Sequence, residues 1–114
     1  MKMDLITKSI ENPDIKVLFE FNGARERGFS DRYRPIHKLK TASGDYLTTG
    51  IHRYFGKEEI PSNGTVEGTI TFISPEEYPN CLGVGEKIEI HDGPRRVVGT
   101  ATVLEIMNKE LERQ

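Results

Sequence analysis

Between Ala24 and Lys40 the cations Arg25, Arg27, Arg32, Arg34, Lys38 and Lys40 stand against the acids Glu26 and Asp31, a surplus of four positive charges. Phe29, Tyr33 and His37 are interleaved with them. Guanidinium groups make forked hydrogen bonds to phosphate oxygens and aromatic rings stack on unpaired bases, so this combination carries the chemistry of an RNA grip. The same residues also read as a solvated loop in which Tyr33 and Pro35 only seat the fold. Phosphate affinity rests on several cations sharing one face, and a linear sequence does not show convergence.

From Lys57 to Asp92 the balance reverses. Glu58, Glu59, Glu67, Glu76, Glu77, Glu86, Glu89 and Asp92 face only Lys57 and Lys87. Such asymmetry either steers a basic protein partner or is simply the solvated side of strands and turns. His37, His52 and His91 show no His-x-x-x-His spacing, and Cys81 has no Cys-x-x-Cys partner, so neither a metal nor any other cofactor is expected. The histidines read as packing or surface residues, and Cys81 as a small thiol without an activating base. Asn63-Gly64-Thr65 reads as a turn, and Gly83-Val84-Gly85 is too short for a dinucleotide fingerprint.

The elements that must position these residues are those of one domain. The chain has 114 residues (12.9 kDa), a formal charge of -2 and a single cysteine. These values disfavour a globally basic nucleic-acid binder, a disulfide-stapled secreted scaffold and two full domains. Without a signal-like apolar run or a Walker-type phosphate loop, the expectation is a cytoplasmic protein with no membrane partner and no nucleotide-driven work.

Eleven glycines and six prolines punctuate short β-branched and aromatic runs, which is the pattern of an all-β fold. Ile15, Val17, Phe19 and Phe21 alternate as a half-buried strand. Further strands are expected over 33–40, 46–55, 65–73, 86–91 and 95–106, with an irregular start at Pro35. On the 65–73 strand Val66, Ile70 and Phe72 share one side. Ser74-Pro75-Glu76-Glu77 predicts about one helical turn with Ser74 as cap. Six strands in this length predict a compact antiparallel barrel over 13–107. An N-terminal segment, 1–12, of undetermined structure precedes it, and a charged tail, 108–114, prone to fraying, follows.

Gly23-Ala24-Arg25, with Phe29 and Tyr33-Arg34-Pro35, resembles the Gly-Gly-Arg … Phe … Gly-Tyr-Arg-Pro segment of the C-terminal β-barrel, domain III, of translation elongation factor Tu. Thr71-Phe72-Ile73-Ser74-Pro75 is similar to that domain's strand ending in Ile-His-Pro. The run from Ile88 to Gly99 resembles its Phe-Ala-Ile-Arg-Glu-Gly-Gly-Arg-Thr-Val-Gly hairpin. The resemblance covers about Ile15 to Ile106 and implies a six-stranded antiparallel barrel of Greek-key type. In the parent factor this barrel is a platform for tRNA and for an exchange partner.

Position by position, Arg25 and Asp92-Gly93 match residues lying against the tRNA backbone, and either Arg95 or Arg96 matches the hairpin arginine. Ile36 replaces the family's glutamine, and the segment after Lys40 departs from the family pattern. The expected function is that of a stand-alone, non-enzymatic binding module. The candidate RNA-facing residues are Arg25, Arg27, Phe29, Arg32, Tyr33, Arg34, Lys38, Asp92, Gly93, Arg95 and Arg96. The alternative is a protein-interaction, inhibitor or immunity module that keeps the barrel and rebuilds its face, with a homodimer through an exposed strand edge as a further expectation.

Overall fold

The computed structural model describes residues 4–114. Alternating apolar residues build β1 (Ile15–Phe21), β3 (Ile36–Thr41), β4 (Gly44–Tyr54), β6 (Thr65–Phe72), β7 (Lys87–His91) and β8 (Val97–Ile106). Two short strands, β2 (Phe29–Ser30) and β5 (Glu59–Ile60), pair with each other outside the barrel. The six long strands close in the order β1-β6-β4-β3-β7-β8, with every pairing antiparallel. β3, β4 and β6 are neighbours in turn and β1 returns beside β6, which is a Greek key.

Because side chains alternate across a strand, Ile15, Val17, Phe19 and Phe21 of β1 point inward, as do Val66, Ile70 and Phe72 of β6. They meet Leu39, Ile88, Ile90, Val98, Ala101 and Val103 in one continuous core. Closure gives each of the six strands a neighbour on both sides, while the β3–β4 hairpin runs on past β7 and β6, so that Leu39–Thr41 and Gly44–Thr48 pair only with each other.

Strand boundaries differ from expectation where turns intervene. Tyr33-Arg34-Pro35 precedes β3 instead of forming it, although the carbonyls of Tyr33 and Pro35 accept from His52 and Gly50 of β4. Arg32, with φ +76°, makes the kink that brings the chain to that edge. β8 starts at Val97 because residues 92–96 form a turn closed by Asp92 N–H donating to the Arg96 carbonyl at 2.8 Å. The predicted turn after Ser74 is a 3-10 helix, Pro75–Glu77, but the Ser74 side chain makes no capping hydrogen bond.

The two end segments are more ordered than their composition suggests. Residues 1–3 lie outside the described residues; Leu5–Glu11 form α1, whose start is fixed by Asp4, with Oδ1 accepting from Thr7 N–H and Oδ2 from the Thr7 hydroxyl, both at 2.9 Å. α1 lies on the outer face of β4 and β6, where Ile51, Thr69 and Thr71 are buried.

The C-terminal residues are packed against the barrel. Lys109–Leu111 form a 3-10 helix with Leu111 fully buried, and Leu82 N–H donates to the Leu111 carbonyl while Arg113 N–H donates to that of Leu82. Arg113 Nη2 adds contacts at 2.9 Å to the Glu86 carboxylate and the Cys81 carbonyl, so one apolar residue, backbone pairing and this guanidinium dock the tail together.

Asp14 joins both ends to the barrel. Its Oδ2 accepts from Phe72 N–H at 2.7 Å, its Oδ1 from Asn108 Nδ2 at 2.9 Å, and Lys8 Nζ lies 3.4 Å from Oδ1. Its backbone carbonyl also accepts from Met107 and Asn108.

Candidate anion-binding cleft

The loop after β1 is shaped by Asn22, whose Oδ1 accepts from Ala24 N–H at 2.9 Å and whose Nδ2 donates to the Val97 carbonyl at 2.9 Å. This local Asx turn, with Gly23 at φ +81°, sets the 24–27 loop beside the 92–96 turn that joins β7 to β8. Between them lies an open cleft of about 690 Å³ lined by Ala24, Arg25, Glu26, Arg27, Asp92 and Arg96. Three arginines from loops far apart in sequence thus share one surface with two acids. Gly93, at φ +81°, gives the second loop its bend.

Arg25 is the best-anchored of the three. Its guanidinium carbon lies 4.8 Å from the Phe29 ring centre and 5.0 Å from that of Tyr33, and its Nη1 is buried with no hydrogen-bond partner. The two ring faces supply the electrostatic compensation that an acceptor would otherwise give. Tyr33 donates to Asp92 Oδ1 at 3.0 Å, tying the arginine's seat to the opposite loop. Burial, reinforced by that carboxylate, pushes the Tyr33 phenol up to about 12, so it remains a hydrogen-bond donor at neutral pH.

A second depression of about 710 Å³ continues past Arg25 and Arg27 to Ser30, Glu59 and Pro61. Gly28 is required where β2 meets β5, since a Cβ there would collide with the Ile60 carbonyl oxygen.

The structure brings Arg25, Arg27, Phe29, Tyr33, Asp92, Gly93 and Arg96 to this end of the barrel, but in different roles. Phe29 is 1% exposed and stacked on Phe21 at 4.1 Å, so it offers no face to a base and acts as the floor beneath Arg25. One face of Tyr33 is covered by the same guanidinium. Arg32, Arg34, Lys38 and Arg95 do not line the cleft. Lys38 sits on β3, its Nζ 3.4 Å from Asp45. Arg32 and Arg34 are exposed on the approach to β3, and Arg95 is exposed in the 92–96 turn.

A second polar cluster, not singled out from sequence, lies inside the barrel. His37 and His52 are fully buried with their Nε2 atoms 2.7 Å apart; His37 Nδ1 is 3.3 Å from the Thr48 carbonyl and His52 Nδ1 is 3.1 Å from the Tyr54 hydroxyl. A carbonyl only accepts, so His37 carries its proton on Nδ1. The chain then runs one way: Tyr54 O–H donates to His52 Nδ1, His52 Nε2–H to His37 Nε2, and His37 Nδ1–H to Thr48.

Burial pushes His37 down to about 4 and His52 well below its ordinary value, with the neighbouring histidine adding to the second shift. Both are neutral at pH 7. Gly50 leaves room for the pair, because a Cβ there would stand 3.1 Å from His37 Cε1 and 2.9 Å from Ile70 Cγ2. The signal was present in the alternation: His37 is in phase with Leu39, and His52 with Thr48 and Tyr54.

Cys81 is buried, and burial raises its thiol. Among the described residues no three His, Cys, Asp or Glu side chains stand close enough to hold a metal, and no helix is long and apolar enough to cross a membrane. No protein-family model matches this chain, and no curated protein matches it.

Proposed function

We propose that this chain is a non-enzymatic binding module of the translation apparatus, akin to domain III of elongation factor Tu and working in the cytoplasm, whose cleft holds RNA backbone phosphates. The observation that carries this reading is the convergence of Arg25, Arg27 and Arg96 on one cleft from two separate loops. Arg25 is held in a fixed pose by two aromatic rings, so less side-chain freedom is lost when it meets a phosphate. With Phe29 buried, affinity rests on phosphates and not on stacked bases, and preference for particular sequences is expected to be weak. The residues best suited to acid-base chemistry, His37 and His52, are sealed from solvent, in keeping with a binding role.

The test is tRNA binding followed by fluorescence anisotropy over a range of salt. Arg27→Gln with Arg96→Gln removes two exposed cations without touching the aromatic seat of Arg25. It should reduce the slope of log K against log salt by about 2. An unchanged slope and affinity would remove the proposed site.

A second reading is favoured by Glu26 and Asp92, which line the same cleft. Mixed charge of this kind suits a protein partner, to which the barrel would dock as an interaction or inhibitor module. A defined protein retained after nuclease treatment, with no tRNA affinity, would decide for it.

A further inference from the structure

On the outer wall of the barrel, Lys16 of β1, Thr69 of β6 and Arg53 of β4 are register partners and form one row across three strands. They line a groove of about 410 Å³ whose walls include Ile10 of α1 and Phe55 beyond the end of β4. Ile10 is 60% exposed and Phe55 49%, so two large apolar side chains stand in water beside two cations. The groove shares no lining residue with the cleft at Arg25.

Its electrostatics are one-sided. The lining holds Lys16 and Arg53 but no acid. Their carboxylate partners stand outside it, with Glu67 Oε1 at 3.6 Å from Lys16 Nζ and Asp31 Oδ2 at 3.1 Å from Arg53 Nε. Arg53 Nη1 is buried without a hydrogen-bond partner, so the Asp31 pairing leaves part of the guanidinium unsatisfied. Asp31 is itself shared, its Oδ1 accepting from Tyr54 N–H at 2.9 Å. A carboxylate settling over Thr69 would stand between both cations, while flanking apolar groups cover Ile10 and Phe55.

We infer that the groove between α1 and the end of β4 is a docking site for an extended peptide segment in which one acidic side chain is flanked by large apolar ones. A peptide suits the lining, which sets cationic groups and exposed apolar side chains from separate elements side by side across three strands. Charge complementarity selects the acid, and the exposed Ile10 and Phe55 select its neighbours.

The test uses the whole ¹⁵N-labelled chain titrated with the blocked tripeptide acetyl-Leu-Glu-Phe-amide and with its Gln and Lys analogues at the central position. Saturable shifts are expected at the amides of Lys16, Arg53, Phe55 and Thr69. Binding of the Gln analogue should be about fivefold weaker, and that of the Lys analogue weaker still. Lys16→Gln, at a half-exposed position away from the Asp31 network, should reproduce the fivefold loss from the protein side. Arg53→Gln gives a second loss if that chain remains folded.

Equal affinity for the Glu and Lys peptides would overturn the inference. So would the absence of saturable shifts at those four amides, or shifts centred on Arg25. Saturation by 4-phenylbutyrate but by none of the peptides would assign the groove to a small carboxylate and overturn the peptide occupant.

Discussion

Acidification should destabilise this protein through His37 and His52 before most of its carboxylates are titrated. In the folded chain both imidazoles are neutral, fully buried and joined at 2.7 Å, so a proton added to either has no solvent and meets its partner's ring. In the unfolded chain each titrates near 6.5. A group whose folded pKa is depressed contributes stability that is fully present above the unfolded value and lost as pH falls through the folded one. For His37 the window runs from 6.5 down to about 4.

A shift of that size corresponds to about 3 kcal/mol, at about 1.4 kcal/mol per pH unit for one proton, and His52 adds a loss of the same sign. Against a total stability on the order of 5–15 kcal/mol this is a large fraction. The assay is urea unfolding followed by circular dichroism at pH 7.5, 6.5, 5.5 and 4.5, for the natural chain and for a His37→Leu/His52→Phe variant that keeps the site apolar. Carboxylates contribute equally to both profiles, so the difference in slope isolates the pair. Parallel profiles would refute the reasoning, as would a folded-state histidine titration near 6.5 assigned to either residue.

Three other outcomes follow from the packing. Asp14→Ala should cost about 3–5 kcal/mol in urea unfolding, because it strands the amide of Phe72 and the ammonium of Lys8; Asp14→Asn should cost less, and a loss under 1 kcal/mol for the alanine would contradict the clamp. Leu111→Ala should cost about 2–5 kcal/mol and speed amide exchange at Leu82 and Arg113, whereas unchanged exchange would mean the tail is held by something else. Tyr33→Phe should cost about 1 kcal/mol through loss of the Asp92 hydrogen bond and weaken tRNA binding modestly by loosening the seat of Arg25; full retention of both would show the bond to be idle.

The barrel was legible in the sequence because period-two alternation is a strong local signal, and the segments at 15–21 and 65–72 carry it almost without interruption. What local pattern could not show was decided by contacts between distant residues. Phe29 looks like an available aromatic in a basic loop, but Phe21 and Ile60 bury it from other parts of the chain. Leu111 looks stranded in a charged tail until Leu82 offers it a backbone partner.

Convergence had the same limit: the linear cluster of six cations is split, with Arg25 and Arg27 in the cleft and Lys38 paired on β3, while the third cleft arginine, Arg96, comes from some seventy residues on. The histidine pair was readable in phase but not in depth. Alternation assigns His37 and His52 to the inner face, and only the closed barrel, with Gly50 leaving space beside His37, brings their rings within reach of each other.

The pairing of β1 with β8, which sets Ile15 against Ile106, also governs how the chain reaches its fold. These partners are separated by almost the whole sequence, so the loop that must close before their hydrogen bonds form is nearly as long as the chain. Topologies of this kind have high contact order and fold in milliseconds to seconds, far more slowly than helical domains of equal size. During synthesis β1 waits beside β6 with its other edge bare until β8 leaves the ribosome. At translation rates of about 5–20 residues per second the interval lasts several seconds, and over that time a strand later sealed inside a barrel is open to pairing with another nascent chain.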